Sequence, residues 1–198
     1  DELDPVPYTD YTRPNVGHMP IWMARQRHLF MVAGTRGGKS HIGPLWLNRH
    51  IERVTRRYPR TVSEFAIVAP KLNDILSVGI GLGRMARFYW ETNGWDEDVI
   101  LNKRNYYIDL QPVGIPAVIY TASEQRMHRL QGKNLHAIWI DEGGQFKKEL
   151  AYLEAVSRLA HDSQMLMTTT PYIEGRWLKD RIEVAKNGDP DDDILVVR

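Results

Sequence analysis

An α/β fold with a mostly parallel central sheet, helices on both faces and a β-hairpin insert is what this sequence predicts. Three observations predict it. Apolar, strand-like segments alternate with helical ones along the chain. A glycine-rich run, Ala33-Gly34-Thr35-Arg36-Gly37-Gly38-Lys39-Ser40, lies between the first strand and the first long helix. The apolar segment Ala137 to Ile140 ends in two acids, Asp141 and Glu142. In parallel sheets ligands bind at the carboxyl ends of strands, which is where both polar segments fall.

The elements follow in order. Residues 1–20 are rich in proline and aromatics and read as an extended N-terminal arm; residues 21–198 read as one domain. A strand is expected at about 27–33 and a helix at about 38–57, with a kink at Pro44, which lacks a backbone donor. Phe65 to Ala69 is a buried-type strand ending at Pro70. Residues 73–90 read as a helix, weakened by glycines at 79, 81 and 83. Tyr106 to Leu110 and Ala117 to Tyr120 form the hairpin, joined by Pro-Val-Gly-Ile-Pro. His136 to Ile140 is a core strand, 146–160 a helix, Met165 to Thr168 a strand, 174–186 a helix and Ile194 to Val197 the last strand.

Bulk properties narrow the function. The 198 residues suit one domain with a sizeable core. A net charge of +1 identifies no nucleic-acid partner by charge alone. The absence of cysteine excludes disulfides and thiolate metal sites and fits a reducing cytoplasm. No apolar run approaches membrane-spanning length, and no secretory signal pattern opens the chain. The seven histidines lack ligand spacing, which argues against structural zinc.

The glycine-rich run fits the phosphate-loop pattern, with Ala33 in the place of the first glycine. A turn of this kind points several backbone N–H groups at one anion. Lys39 is placed to reach β- and γ-phosphates, and the Ser40 hydroxyl to ligate Mg²⁺. Asp141, at the end of a buried strand, needs a partner, and Mg²⁺ is a natural one. Glu142 is then the candidate base for the attacking water, and the pair of motifs points to ATP hydrolysis. Thr168, Thr169 and Thr170 end the next strand, where a γ-phosphate would be sensed; coupling is favoured over threonine's simple preference for strands because the run follows the acidic strand in order. Arg49, Arg53 and Arg56 share a helix face, read as solvated. Trp22 and Gln26 are weak candidates for contacting adenine. The acidic run 189–193 reads as a solvated turn.

Together these segments resemble the ATPase domain of the large terminase subunit of tailed bacteriophages, over roughly residues 21 to 198. The order matches: phosphate loop with an internal arginine, Ala69-Pro70, a hairpin, the run Thr121 to Gly132, Asp-Glu, then Thr-Thr-Thr-Pro. The resemblance implies a RecA-like P-loop NTPase with ATP and Mg²⁺ as cofactors. It makes Arg36 the phosphate-loop arginine, Asp141 a metal ligand, Glu142 the base, and residues 168–170 the coupling motif. Arg129, or alternatively Arg126, would reach a neighbouring subunit's nucleotide. It further implies a motor that drives double-stranded viral DNA into a procapsid in the host cytoplasm. Its partners would be portal protein, the small terminase subunit and other copies of itself in a ring, with a monomer possible in isolation. Two departures are that Gly143-Gly144 follow the acids and that Gln131 precedes Gly132. The family's nuclease domain is not expected in this chain. Two other functions stay open: a helicase-type lobe, which would need a second lobe, and a nucleotide-gated docking module without turnover, against which Glu142 argues.

Overall fold

The computed structural model describes residues 14, 16–34, 36–71, 75, 81–171, 176–186 and 193–197. Eight strands form one sheet in the order β3-β4-β5-β2-β6-β7-β1-β8. The strands are β1 (His28–Val32), β2 (Ser63–Ala69), β3 (Leu101–Asn102), β4 (Tyr107–Asp109), β5 (Ala117–Ser123), β6 (Leu135–Asp141), β7 (Leu159–Thr169) and β8 (Ile194–Val197). From β5 to β8 all pairings are parallel; β3 and β4 are antiparallel at one edge. The helices are α1 (Met19–Met23), α2 (Lys39–Arg57), α3 (Gly81–Asn93), α4 (Glu97–Ile100), α5 (Glu149–Val156) and α6 (Arg176–Lys186).

Alternation along each strand builds two cores, one on each face of the sheet. Leu29, Phe65, Ile67, Ala137, Trp139 and Leu166 face α2 and α3. Phe30, Ala66, Val68, Ile138, Ile140 and Met167 lie in the other core, with α5, α6 and the 3-10 segment Glu124–Leu130. The α5–α6 layer is tied together by Arg181 Nε donating to Glu149 at 2.8 Å and by Trp177 Nε1 donating to the Phe146 carbonyl at 3.0 Å.

The structure departs from the sequence-based expectations in several places. The described end of the arm is helical, with a 3-10 turn at Val16–His18 running into α1. Pro20 sits in the first turn of α1, where a missing N–H costs nothing. The hairpin is present, with Ile108 opposite Ile119. Yet β5 is also a core strand, pairing in parallel with β2 from Ser63↔Ala117 to Ala69↔Ser123. The helix expected over 146–160 is confined to Glu149–Val156, because the chain re-enters the sheet at Leu159. There β7 bulges: Leu135 faces Leu159 while Ala137 faces Gln164, and Asp162 takes a φ of 61° in the extra length. Of the helix expected over 73–90, residues 73, 74 and 76–80 lie outside the described residues; α3 runs on to Asn93. So do most of the arm, Thr35, and most of the acidic run 189–193.

Candidate nucleotide site

The carboxyl ends of β1, β7 and β6 lie side by side, and each carries one motif. Thr169 is in register with Val32 and Thr168 with Asp141. The threonine strand therefore separates the glycine-rich loop from the acids, by two strand spacings or roughly 10 Å. The Lys39 side chain spans that gap and brings its ammonium up to Glu142.

The loop is built from its own backbone. Gly37 N–H donates to the Gly34 carbonyl at 2.9 Å, and Ala33 N–H donates to the Thr169 carbonyl at 3.0 Å. Gly38 adopts φ 75° as the N-cap of α2. Ala33 has a consequence: a Cβ at Gly37 would fall 2.6 Å from the Ala33 methyl, so the alanine makes Gly37 obligatory. Arg36 is exposed at a φ of 70°. Lys39 is 7% exposed, and its ammonium donates to the carbonyls of Ala33 at 2.9 Å and Gly34 at 3.1 Å. It stands 3.9 Å from Glu142 Oε1.

Asp141 is 2% exposed. Its Oδ1 accepts the Thr168 hydroxyl at 2.9 Å and its Oδ2 the Gly81 N–H at 3.3 Å. Burial pushes the carboxyl up to about 6, and the neighbouring Glu142 charge adds to the shift; the Thr168 and Gly81 donors oppose it. A cation beside this carboxylate would relieve that desolvation, so the residue fits a metal ligand. Among the described residues no three His, Cys, Asp or Glu side chains cluster as a metal site. A divalent ion here would rest on Asp141, the Ser40 hydroxyl and the nucleotide itself.

Glu142 is held differently. Its backbone turns left-handed at φ 51°, which costs a non-glycine residue about 1 kcal/mol. Its Oε2 accepts the Thr170 N–H at 3.1 Å and the Thr170 hydroxyl at 3.2 Å. The first of the unusual glycines after it is closely packed: a Cβ at Gly143 would sit 2.6 Å from the Met167 sulfur. Gly144 N–H donates to the Thr169 hydroxyl at 3.0 Å. Each of the three threonine hydroxyls thus contacts the Asp-Glu-Gly-Gly segment.

The structure brings together Ala33, Gly34, Arg36, Gly37, Gly38, Lys39, Ser40, Asp141, Glu142 and the three threonines. It does not bring Arg129 to them. Arg129 follows β5, four strands from β1 and so roughly 19 Å across the sheet. Its guanidinium donates to the Asn105 carbonyl at 3.3 Å and lies 5.2 Å from the Tyr106 ring centroid. Arg126 is exposed on the same 3-10 segment. Trp22 is engaged elsewhere, since Arg49 lies 4.4 Å from its ring centroid and donates to its carbonyl. Arg53 contacts His50 Nδ1 at 3.0 Å.

Four residues near the site carried no sequence signal. Trp139 donates its indole N–H to the Thr168 hydroxyl at 3.0 Å, extending a chain from Trp139 through Thr168 to Asp141. His18 is buried against the loop, its Nε2 3.4 Å from the Gly37 carbonyl. Gly81 caps Asp141. Arg84 donates to the Ser40 carbonyl at 3.1 Å. All but Trp139 come from segments outside the motifs, and only the three-dimensional packing joins them.

The family model for the terminase large subunit, T4likevirus-type, N-terminal, matches residues 30–184 of the 198. Among solved structures, the large terminase from a thermophilic bacteriophage in complex with ADP superposes with a TM-score of 0.66 at 13% identity, covering 91% of this chain and 44% of that one. The same protein in complex with ATP-γ-S gives 0.64 at 13% identity, covering 91% and 43%. The large terminase ATPase domain of Thermus phage P74-26 gives 0.52 at 19% identity, covering 80% and 65%. The chain thus spans less than half the length of the first of these terminases. No curated protein matches the sequence. The fold is that of the RecA-like terminase ATPase domains, and the chain belongs to the family of T4likevirus-type terminase large subunits, of which it matches the N-terminal part.

Proposed function

We propose that this domain hydrolyses ATP and that hydrolysis drives double-stranded viral DNA into a procapsid. The observation that carries the reading is the convergence of Lys39, Asp141 and Glu142 around one strand end, with Thr168 to Thr170 touching both acids. A binding-only site has no need for a glutamate held in a left-handed backbone against the sensor threonine.

In this reading the loop N–H groups and Lys39 hold the phosphates. Ser40 and Asp141 would hold Mg²⁺, which would supply neutralisation of phosphate charge. Glu142, fixed by Thr170, orients the attacking water and takes its proton. Arg36 extends from the loop to the phosphates. When the γ-phosphate leaves, the threonine hydroxyls exchange partners, and the shift passes along β7 into the sheet. Arg129 faces away from its own loop, which favours its acting on the nucleotide of a neighbouring copy. Among the described residues its Nη1 is buried with no hydrogen-bond partner. Portal protein and the small terminase subunit are the expected partners, in the host cytoplasm.

The test is ATP turnover of the wild type and of Glu142→Gln, with and without double-stranded DNA. The reading expects Glu142→Gln to bind ATP and to lose turnover by about 10²–10⁴-fold. Retained turnover in that variant would remove the base assignment.

A further inference from the structure

One turn of α3 reaches both halves of the nucleotide site. It does so at a backbone group that the sequence leaves open. Pro44 is the residue whose N–H would bond the Ser40 carbonyl inside α2, and proline has none. Its ring also crowds that carbonyl outward. α2 nevertheless runs as one helix from Lys39 to Arg57. Arg84 Nε donates to the Ser40 carbonyl at 3.1 Å, supplying the bond that the helix lacks. On the same helix, Gly81 N–H donates to Asp141 Oδ2 at 3.3 Å. Gly81 takes φ 55°, and a Cβ there would fall 3.2 Å from the Ile75 Cα, so this close approach needs glycine.

Arg84 lies half-buried against the first turn of α2, beside Ser40, His41, Pro44 and Phe88. A charged donor on a neutral carbonyl is stronger than the backbone bond it replaces, and it comes from a different element. Ordinary helix chemistry would tie Ser40 only to its own helix. Here Ser40 and Asp141 are tied to one rigid third body.

We infer that Arg84 is a positioning residue and that Pro44 creates the acceptor it uses. Together they set the first turn of α2 relative to Asp141, so that the Ser40 hydroxyl and the Asp141 carboxylate face one divalent cation. This rests on the assignment of Ser40 and Asp141 to Mg²⁺ made above. It also gives the helix proline a purpose. Replacing Pro44 by alanine restores the internal bond and makes Arg84 dispensable for the geometry.

The experiment is a double-mutant cycle on wild type, Arg84→Ala, Pro44→Ala and the double variant. Calorimetry reads ATP-γ-S affinity with Mg²⁺ and ADP affinity in EDTA; urea unfolding without nucleotide reads the bond itself. Arg84→Ala should weaken Mg²⁺-dependent binding about tenfold. It should leave binding in EDTA within about threefold. In the Pro44→Ala background the same substitution should cost less than about threefold, in binding and in the unfolding constant. Should Arg84→Ala fail to fold, Arg84→Met keeps the apolar stem, removes the donor and carries the same cycle. Equal losses in both backgrounds, or no loss in either, would overturn the inference. A wild type without Mg²⁺-dependent nucleotide binding would instead overturn the cation assignment, and the unfolding cycle would still report on the Pro44–Arg84 coupling.

Discussion

Asp141 and Glu142 are adjacent in sequence, yet they are held in different environments. Asp141 is sealed between strands, where burial raises its carboxyl to about 6 from an ordinary value of 3.8. A raised carboxyl contributes stability at low pH that is lost as pH rises through the folded-state value. Its charge therefore costs the fold about 3 kcal/mol above pH 6. Asp141→Asn should raise the unfolding midpoint at pH 7.5 by about 5–10 °C without metal, and the gain should vanish near pH 4. Thermal unfolding of both proteins across that range checks it, and an equal midpoint at pH 7.5 would contradict it. The comparison must be between variants, because His50, held down to about 3 by burial, acts the other way. Its stability contribution is present above pH 6.5 and is lost as pH falls towards 3. Mg²⁺-dependent nucleotide binding should fall as pH drops through about 6. The placement of both acids at the end of a buried strand was legible in the sequence, because an acid there demands a partner. The left-handed turn at Glu142 was not, since a glutamate carries no local preference for that conformation.

At the scale of elements, β6, β7 and α2 are locked through side chains that the alternation pattern assigned to the core alone. Trp139 fills the space under Gly43, where a Cβ would fall 2.2 Å from its ring, and its N–H reaches Thr168. Gly43→Ala should destabilise by about 1–3 kcal/mol by forcing α2 away from β6. Thr168→Val removes the acceptor for a buried indole N–H and a donor to Asp141. It should cost about 1–3 kcal/mol in urea unfolding and raise the Asp141 carboxyl further. An unchanged midpoint would show that the chain of bonds is not structural. The strand–helix alternation and the antiparallel hairpin were readable from periodicity and turn residues. The double role of β5 was not, because its pairing with β2 is non-local. Nor were the bulge in β7 and the short α4, whose Asp96 cap is a two-residue signal. Pro44 looked like a defect because its compensation, Arg84, lies on another helix.

For the whole molecule, the sheet order decides which groups share a site. Placing β7 between β1 and β6 gathers the three motifs, while placing β5 beyond β2 sets Arg129 four strands away from β1. Arg129 is held there by Asn105 and Tyr106, residues of the turn joining β3 to β4. One chain therefore carries a phosphate loop and an arginine that are separate, as two complementary halves of a shared site would be. The motif order singled out the arginine as a candidate, and the topology separates it from its own loop. The most direct test is ATP turnover per protomer against protein concentration with double-stranded DNA, using Glu142→Gln as the blank. The account predicts a rate that climbs with concentration for the wild type and stays flat for Arg129→Ala. At saturation the two should differ by on the order of 10³-fold, with ATP binding unchanged. A wild-type rate independent of concentration, with Arg129→Ala losing activity equally at high dilution, would contradict it.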